Sequence, residues 1–190
     1  EVLTGDSVKL VGGKTLRYIG LRSAPLQHLW PLVRQYGKEA LDFNKSLVEG
    51  KDLYIEWGPQ LREDRSQILL GYVFLEDGTF VNDKILEVGC GKISIKPPNS
   101  KYAERLRKSE LAARRQKLGM WREEANNPFI QNDYYGDKNT KLFYFANHPD
   151  LERIPQSYIV TFRSRVEAVA AGYKPCSTCK EAQMDLDNSL

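Results

Sequence analysis

Apolar residues alternate with polar ones at Val8, Leu10 and Val11, stop at Gly12-Gly13, and resume at Leu16, Tyr18, Ile19 and Leu21. That pattern predicts two paired strands joined by a glycine turn. From Gly37 to Gly50 the period becomes helical, with Ala40, Leu41, Phe43, Leu47 and Val48 on one side and Gly50 as a stop. Leu53-Tyr54-Ile55-Glu56-Trp57 predicts another strand, and Ile68 to Leu75 returns through Glu76-Asp77-Gly78 into Thr79-Phe80-Val81 as a hairpin. Two helices follow, a short one from Asn82 to about Gly89 and a long one from about Ser100 to Gly119. Five strands with a helix after the third, then two helices, predict an α+β fold, a five-stranded Greek-key barrel of the OB type with three helices.

Beyond Trp121 the pattern weakens. Asn126-Asn127-Pro128 and Gln131-Asn132-Asp133 read as a linker over 125–134. Residues 135–181 then carry the apolar stretches Lys141-Leu142-Phe143-Tyr144-Phe145 and Ser157-Tyr158-Ile159-Val160-Thr161-Phe162, a helix from Ser164 to Ala171, and Pro175-Cys176. So short a segment has little core and is expected to need a staple. The expected division is a barrel domain over 1–124, the linker, a small α+β module over 135–181 and a polar tail over 182–190.

Composition narrows this picture only slightly. With 190 residues and 41% hydrophobic content the chain can bury a core, and no window reaches the apolar length of a membrane-spanning helix. The net charge of +3 permits a nucleic-acid partner without arguing for one. The sequence opens at Glu1-Val2-Leu3 without Met, so upstream residues are expected; a removed signal peptide among them would place the protein outside the cytoplasm, secreted or periplasmic. Its three cysteines, Cys90, Cys176 and Cys179, make no disulfide framework; Cys176 and Cys179 have the spacing of a metal half-site or a redox pair, and Cys90 reads as a small buried residue.

The long helix sets Tyr102, Leu106 and Ala113 along one stripe and spreads Arg105, Lys108, Arg114 and Arg115 around the rest. Two readings are open for these charges, a solvated face or a rail for phosphates. Trp30, Trp57, Trp121 and the pair Tyr134-Tyr135 are candidates for stacking on bases.

Several segments resemble the thermonuclease (staphylococcal nuclease-like) family in the correct order. They are Thr4-Gly5-Asp6-Ser7-Val8, Arg17-Tyr18-Ile19-Gly20-Leu21, Tyr36-Gly37-Lys38-Glu39-Ala40, Leu70-Gly71-Tyr72-Val73-Phe74, Val81-Asn82, Lys96-Pro97-Pro98-Asn99, Leu106-Arg107-Lys108-Ser109-Glu110 and Leu118-Gly119-Met120-Trp121. The resemblance implies a Ca²⁺-dependent phosphodiesterase site, in which an Asp pair and a Thr carbonyl hold the metal on the substrate phosphate, two Arg stabilise the phosphoryl charge and a Glu activates or orients water.

Carried over by position, Asp6 matches one metal ligand and Arg17 one catalytic arginine. Thr4 replaces the first Asp, Arg22 or Ser23 replaces the second metal ligand, Leu26 stands at the Glu position and Ile68 at the second arginine. Leucine moves no proton, and isoleucine offers no donor to a phosphoryl oxygen. One carboxylate also falls short of the six to eight oxygens Ca²⁺ takes, so calcium is not expected and Asp6 is read as its remnant. A shifted register would instead bring Gln27 or His28 to the water and Arg22 or Arg65 to the phosphate.

The C-terminal segments Val160-Thr161-Phe162, Glu167-Ala168 and Ala171-Gly172-Tyr173-Lys174-Pro175-Cys176, with Cys179, resemble the second half of an Ada-type metal-binding domain, a family that binds Zn²⁺ through four cysteines. No cysteine stands where the first pair belongs, leaving His148 and Asp150 as the partners of Cys176 and Cys179 in a zinc site; the alternative is a metal-free relic in which the two thiols are inert or form a weak disulfide.

Three functions therefore stand side by side. One is a nuclease-like protein with a degenerate, non-hydrolytic site that binds nucleic acid, through Arg17, Arg105, Lys108, Arg114, Arg115, Tyr134 and Tyr135, or another partner through the barrel. The second is an active metal-dependent endonuclease on DNA or RNA with a rearranged site. The third is a protein-interaction scaffold.

Overall fold

Short alternating segments punctuated by glycine form strands here, and the helical-period segments pack on them. In the computed structural model, which describes residues 1–62, 67–131, 134–145, 148–162 and 165–177, the fold is mixed α and β. The chain divides into two compact units, residues 1–26 with 34–124, and residues 27–33 with 125–190.

The first unit runs β1 (Val2–Thr4), β2 (Ser7–Lys9), β3 (Thr15–Tyr18), β4 (Gly20–Arg22), α1 (Pro31–Val48), β5 (Tyr54–Arg62), β6 (Leu69–Phe74), α2 (Val81–Glu87), β7 (Lys92–Ser94) and α3 (Ala103–Arg115). Five strands form one sheet in the order β1-β2-β3-β6-β5, and β4 pairs with β7 as a separate two-stranded ribbon. Strands β3 and β6 are parallel and the other pairs antiparallel. Leu16, Tyr18, Ile19, Leu21, Tyr72, Val73, Phe80, Val81, Ile85, Leu86 and Leu106 fill the core.

The first unit carries a strand that the apolar pattern did not predict, β7, three residues long. A strand of three residues shows hardly one period of alternation, so it leaves little trace in sequence. The expected return strand over 79–81 is only a bridge between Phe74 and Phe80, because Val81 already opens α2 and turns its apolar side inward. Helix α1 starts six residues before the expected Gly37, at Pro31, whose missing N–H costs nothing in a first turn.

Three buried asparagines staple the elements. Asn82, fully buried, accepts from Val73 N–H at 2.9 Å and donates to Ile19 C=O at 2.8 Å, tying α2 to β6 and to the residue between β3 and β4. Asn99 accepts from Gln60 N–H at 3.0 Å and donates to Gln60 C=O at 2.9 Å. Asn44 is described with the site below. Between helices, buried Asp83 on α2 accepts from Arg105 Nε at 2.7 Å and from Ser109 Oγ at 2.5 Å on α3.

The second unit contains α4 (Pro128–Gln131), β8 (Tyr134–Asp137), β9 (Leu142–Phe145), β10 (Ile159–Phe162), α5 (Arg165–Ala170) and β11 (Lys174–Pro175), with a sheet in the order β10-β8-β9-β11. Part of the expected linker is folded: Asn127 Oδ1 accepts from Phe129 N–H at 3.1 Å, capping α4, and Phe129 is buried. Tyr135, Tyr144 and Leu151 form one buried cluster and Phe143, Phe162, Ala168 and Tyr173 another. The expected tail over 182–190 lies outside the described residues. No described helix is long and apolar enough to cross a membrane.

Replacing Asn82 with Leu is expected to destabilise the first unit by about 2–4 kcal/mol, since it strands a buried donor and a buried acceptor at once. The urea unfolding midpoint measures this, and an unchanged midpoint contradicts it.

Candidate functional site

Asp6 lies in the tight turn between β1 and β2, where Thr4 and Ser7 are paired. The turn sits directly on α1: a Cβ on Gly5 would come 2.4 Å from Ala40 Cβ, so only glycine fits. One helical turn further on, Asn44 donates to Thr4 C=O at 2.8 Å and accepts from Tyr18 Oη at 3.1 Å. Burial raises the Tyr18 phenol well above its usual range, and the Asp6 charge adds to the same direction. Asp6 is itself only 4% exposed.

Hydroxyl groups surround its carboxylate. Oδ1 accepts from Thr4 Oγ1 at 2.7 Å and from Ser23 Oγ at 3.0 Å. Oδ2 is buried without a hydrogen-bond partner among the described residues. Between Arg22 and Ser23, the two candidates for the second ligand position, Ser23 is the one that reaches Asp6, while Arg22 lies in β4 opposite Lys92.

Arg17 in β3 is paired with Ser7 on one side and with Leu70 in β6 on the other, so the three occupy one face of the sheet. Ile68 stands just before β6, which begins at Leu69, and is half-buried there. The position expected for the second arginine is thus aliphatic and adjoins the strand that pairs with Arg17. Leu26 is half-buried in the segment after β4, which α1 holds closely: a Cβ on Gly37 would lie 2.4 Å from Pro25 O. Arg65 lies outside the described residues.

This geometry accompanies a family match. The sequence model of the family described as Staphylococcal nuclease homologue matches residues 15–123. The chain belongs to that family. It is 32% identical over 125 residues to endonuclease YncB of Bacillus subtilis (strain 168), covering 64% of this chain and 59% of that protein. It is 31% identical over 125 residues to the SPbeta prophage-derived endonuclease YokF of the same organism, covering 64% of this chain and 42% of YokF. With the thermonuclease of Staphylococcus hyicus it shares 32% identity over 124 residues, 64% of this chain and 72% of the thermonuclease. The chain thus spans about half the length of YncB and YokF.

Most of the basic rail expected of this staphylococcal nuclease homologue is paired internally. Arg105 is bound to Asp83, Lys108 to Glu104 at 2.9 Å, and Arg114 to Glu124 while lying over the Trp121 ring. Arg115 is exposed with no ion pair among the described residues, and so are Arg107 and Lys117. Arg107 and Arg115 flank the exposed Leu111 at four-residue steps, making one outward stripe. Periodicity marked the helix without showing which cations its neighbours neutralise.

The aromatic candidates also separate. Tyr135 is fully buried, packing against Trp30 and His28 at ring distances of 5.3 and 5.6 Å, which leaves it no face for a base. Tyr134 packs edge-on against Phe143, and Trp121 is buried. Trp57 on β5 keeps 45% of its surface exposed.

In the second unit the parallel pairing of β9 with β11 brings Cys176 beneath His148, with Sγ 3.6 Å from Nε2. His148 Nδ1 accepts from Asp150 N–H at 3.2 Å, which places the ring proton on Nε2, and Asp150 Oδ2 lies 3.7 Å from Nδ1. Cys176 is disulfide-bonded, and Cys179 lies outside the described residues. No group of three or more potential metal ligands occurs among the described residues.

Cys90 is free, and burial, reinforced by the Glu39 charge, pushes its thiol up to about 11. Folding therefore favours the neutral thiol. That contribution is complete below the ordinary thiol pKa of about 8.5 and fades as pH rises toward the folded value. Labelling of native protein with a thiol reagent is expected to be slow at neutral pH and to accelerate toward pH 11; fast labelling at neutral pH contradicts the assignment.

Proposed function

We propose that this staphylococcal nuclease homologue binds nucleic acid without hydrolysing it. The observation that carries the reading is the half-buried aliphatic Ile68 at the second arginine position, just before the strand β6 that pairs with Arg17 in β3. Leu26 at the Glu position and Ser23 beside Asp6 point the same way. A phosphodiester has to be neutralised, attacked and polarised together, and these residues supply one guanidinium and one carboxylate. The five-stranded sheet with the β4/β7 ribbon is read as an OB-type Greek-key barrel, a fold that serves strand binding. The cations at Arg107, Arg115 and Lys117 are the phosphate contacts in this reading, and Trp57 is the stacking surface.

Single-stranded and duplex DNA and RNA, titrated by fluorescence anisotropy over a salt series, are expected to bind with an affinity that falls as salt rises. Replacing both Arg107 and Arg115 with Glu should reduce the slope of log affinity against log salt by about 2. Salt-independent or absent binding removes the reading, and a protein partner retained at high salt after nuclease treatment favours the scaffold instead.

Hydrolysis is the second reading, supported by relatives named endonucleases. Cleavage of labelled DNA or RNA that is lost in Arg17→Ala establishes it.

The second unit is read as an Ada-like module whose reduced form takes zinc through Cys176, Cys179 and His148. The supporting contact is the 3.6 Å approach of Cys176 Sγ to His148 Nε2. Reduced protein is expected to carry about one zinc per chain by elemental analysis and Cys176→Ser none; equal zinc in both contradicts the site.

A further inference from the structure

We infer that Thr4, Ser7 and Ser23 have turned the family's cation site into a metal-free clasp around Asp6. The inference rests on the hydroxyl geometry alone and holds whether or not the chain binds nucleic acid.

The hydroxyl at Thr4 has one hydrogen and two lone pairs, and all three are committed. Its hydrogen goes to Asp6 Oδ1 at 2.7 Å. One lone pair accepts from Asp6 N–H at 3.3 Å. The other accepts from Ser7 Oγ at 2.6 Å, since the Thr4 hydrogen is already used. No lone pair remains for a cation. Ser23 also directs its hydrogen at Oδ1, from 3.0 Å. A cation at that oxygen would meet the positive ends of two hydroxyl dipoles.

Of the clasp's side-chain oxygens, Oδ2 alone has no hydrogen-bond partner among the described residues, and Ca²⁺ takes six to eight oxygens. Charge balance opposes the metal as well. Asp6 supplies one negative charge, and Arg17 lies on the same sheet face as Ser7, which belongs to the clasp. A divalent ion would add two positive charges beside a single buried carboxylate, and burying uncompensated charge is costly. Without metal the clasp still fastens three segments, since it joins the end of β1 and the start of β2 to the residue after β4.

Two measurements on the full chain test this. Thermal unfolding is expected to show the same midpoint in calcium and in EDTA, and Tb³⁺ is expected to give no saturable luminescence through Tyr18, the nearest aromatic neighbour along β3. Asp6→Ala should lower the midpoint equally in both conditions. The paired substitutions Thr4→Asp and Ser23→Asp are expected to create a calcium-dependent rise in midpoint. A calcium-dependent rise in the unmodified chain, or saturable Tb³⁺ emission abolished by Asp6→Asn, overturns the inference. Should the paired variant not fold, the unmodified chain decides alone.

Discussion

The site depends on how closely the Thr4-Gly5-Asp6 turn approaches α1. At residue 5 a methyl group would sit 2.4 Å from Ala40 Cβ and 2.8 Å from Ser23 Cβ, so helix, turn and the segment after β4 converge on one glycine. Asn44, four residues beyond Ala40, then fixes the Thr4 carbonyl and the Tyr18 hydroxyl with a single amide. Asp6 is therefore positioned by packing and by backbone hydrogen bonds, among them Tyr18 N–H to Asp6 C=O at 2.9 Å. Its carboxylate is held in turn by the Thr4 and Ser23 hydroxyls, so backbone and side-chain contacts within the chain both fix its place.

That distinction also explains what was legible in sequence. The turn, the arginine in β3, the helix over Ala40 and the closing segment from Lys96 to Trp121 were readable because each is a run of residues with a local constraint. Ser23 could be placed beside Asp6 only after the fold was known, because the choice between Arg22 and Ser23 turns on which side chain leaves β4 toward the turn. Asn44 lies on the apolar stripe of α1, four residues after Ala40, and a polar residue on a buried stripe was a signal that went unused. Strand β7 was too short for alternation to show it.

Surface charge gives the opposite lesson. The long helix carries many cations, yet Arg105 belongs to Asp83, Lys108 to Glu104 and Arg114 to Glu124. Of these the Arg105 pair differs in kind: Asp83 is buried, and Ser109 shares the same carboxylate. Truncating one partner of a buried carboxylate removes more stability than an exposed pair contributes. What looks like a basic rail in sequence is in part the fastening of α3 to α2, and only the Arg107 and Arg115 stripe with Lys117 is left with charge to offer.

Scaffold and chemistry are thus carried by different residues in this protein. Asn44, Asn82 and Asn99 satisfy buried backbone groups through neutral amides, and none of them needs a metal or a substrate to do so. Leu26 and Ile68, at the positions of a proton-transfer group and a phosphate-binding group, are half-buried aliphatic residues that cost the fold no unpaired charge. A catalytic cluster of like-charged ligands stores repulsion that a metal relieves. Thr4 and Ser23 set hydroxyls rather than carboxylates against Asp6, so the cluster they form carries no like-charge repulsion of its own. The hydroxyl bonds that hold the Asp6 carboxylate also tie the end of β1 and the start of β2 to the residue after β4, so the turn and the strands around it are fastened by one set of hydrogen bonds.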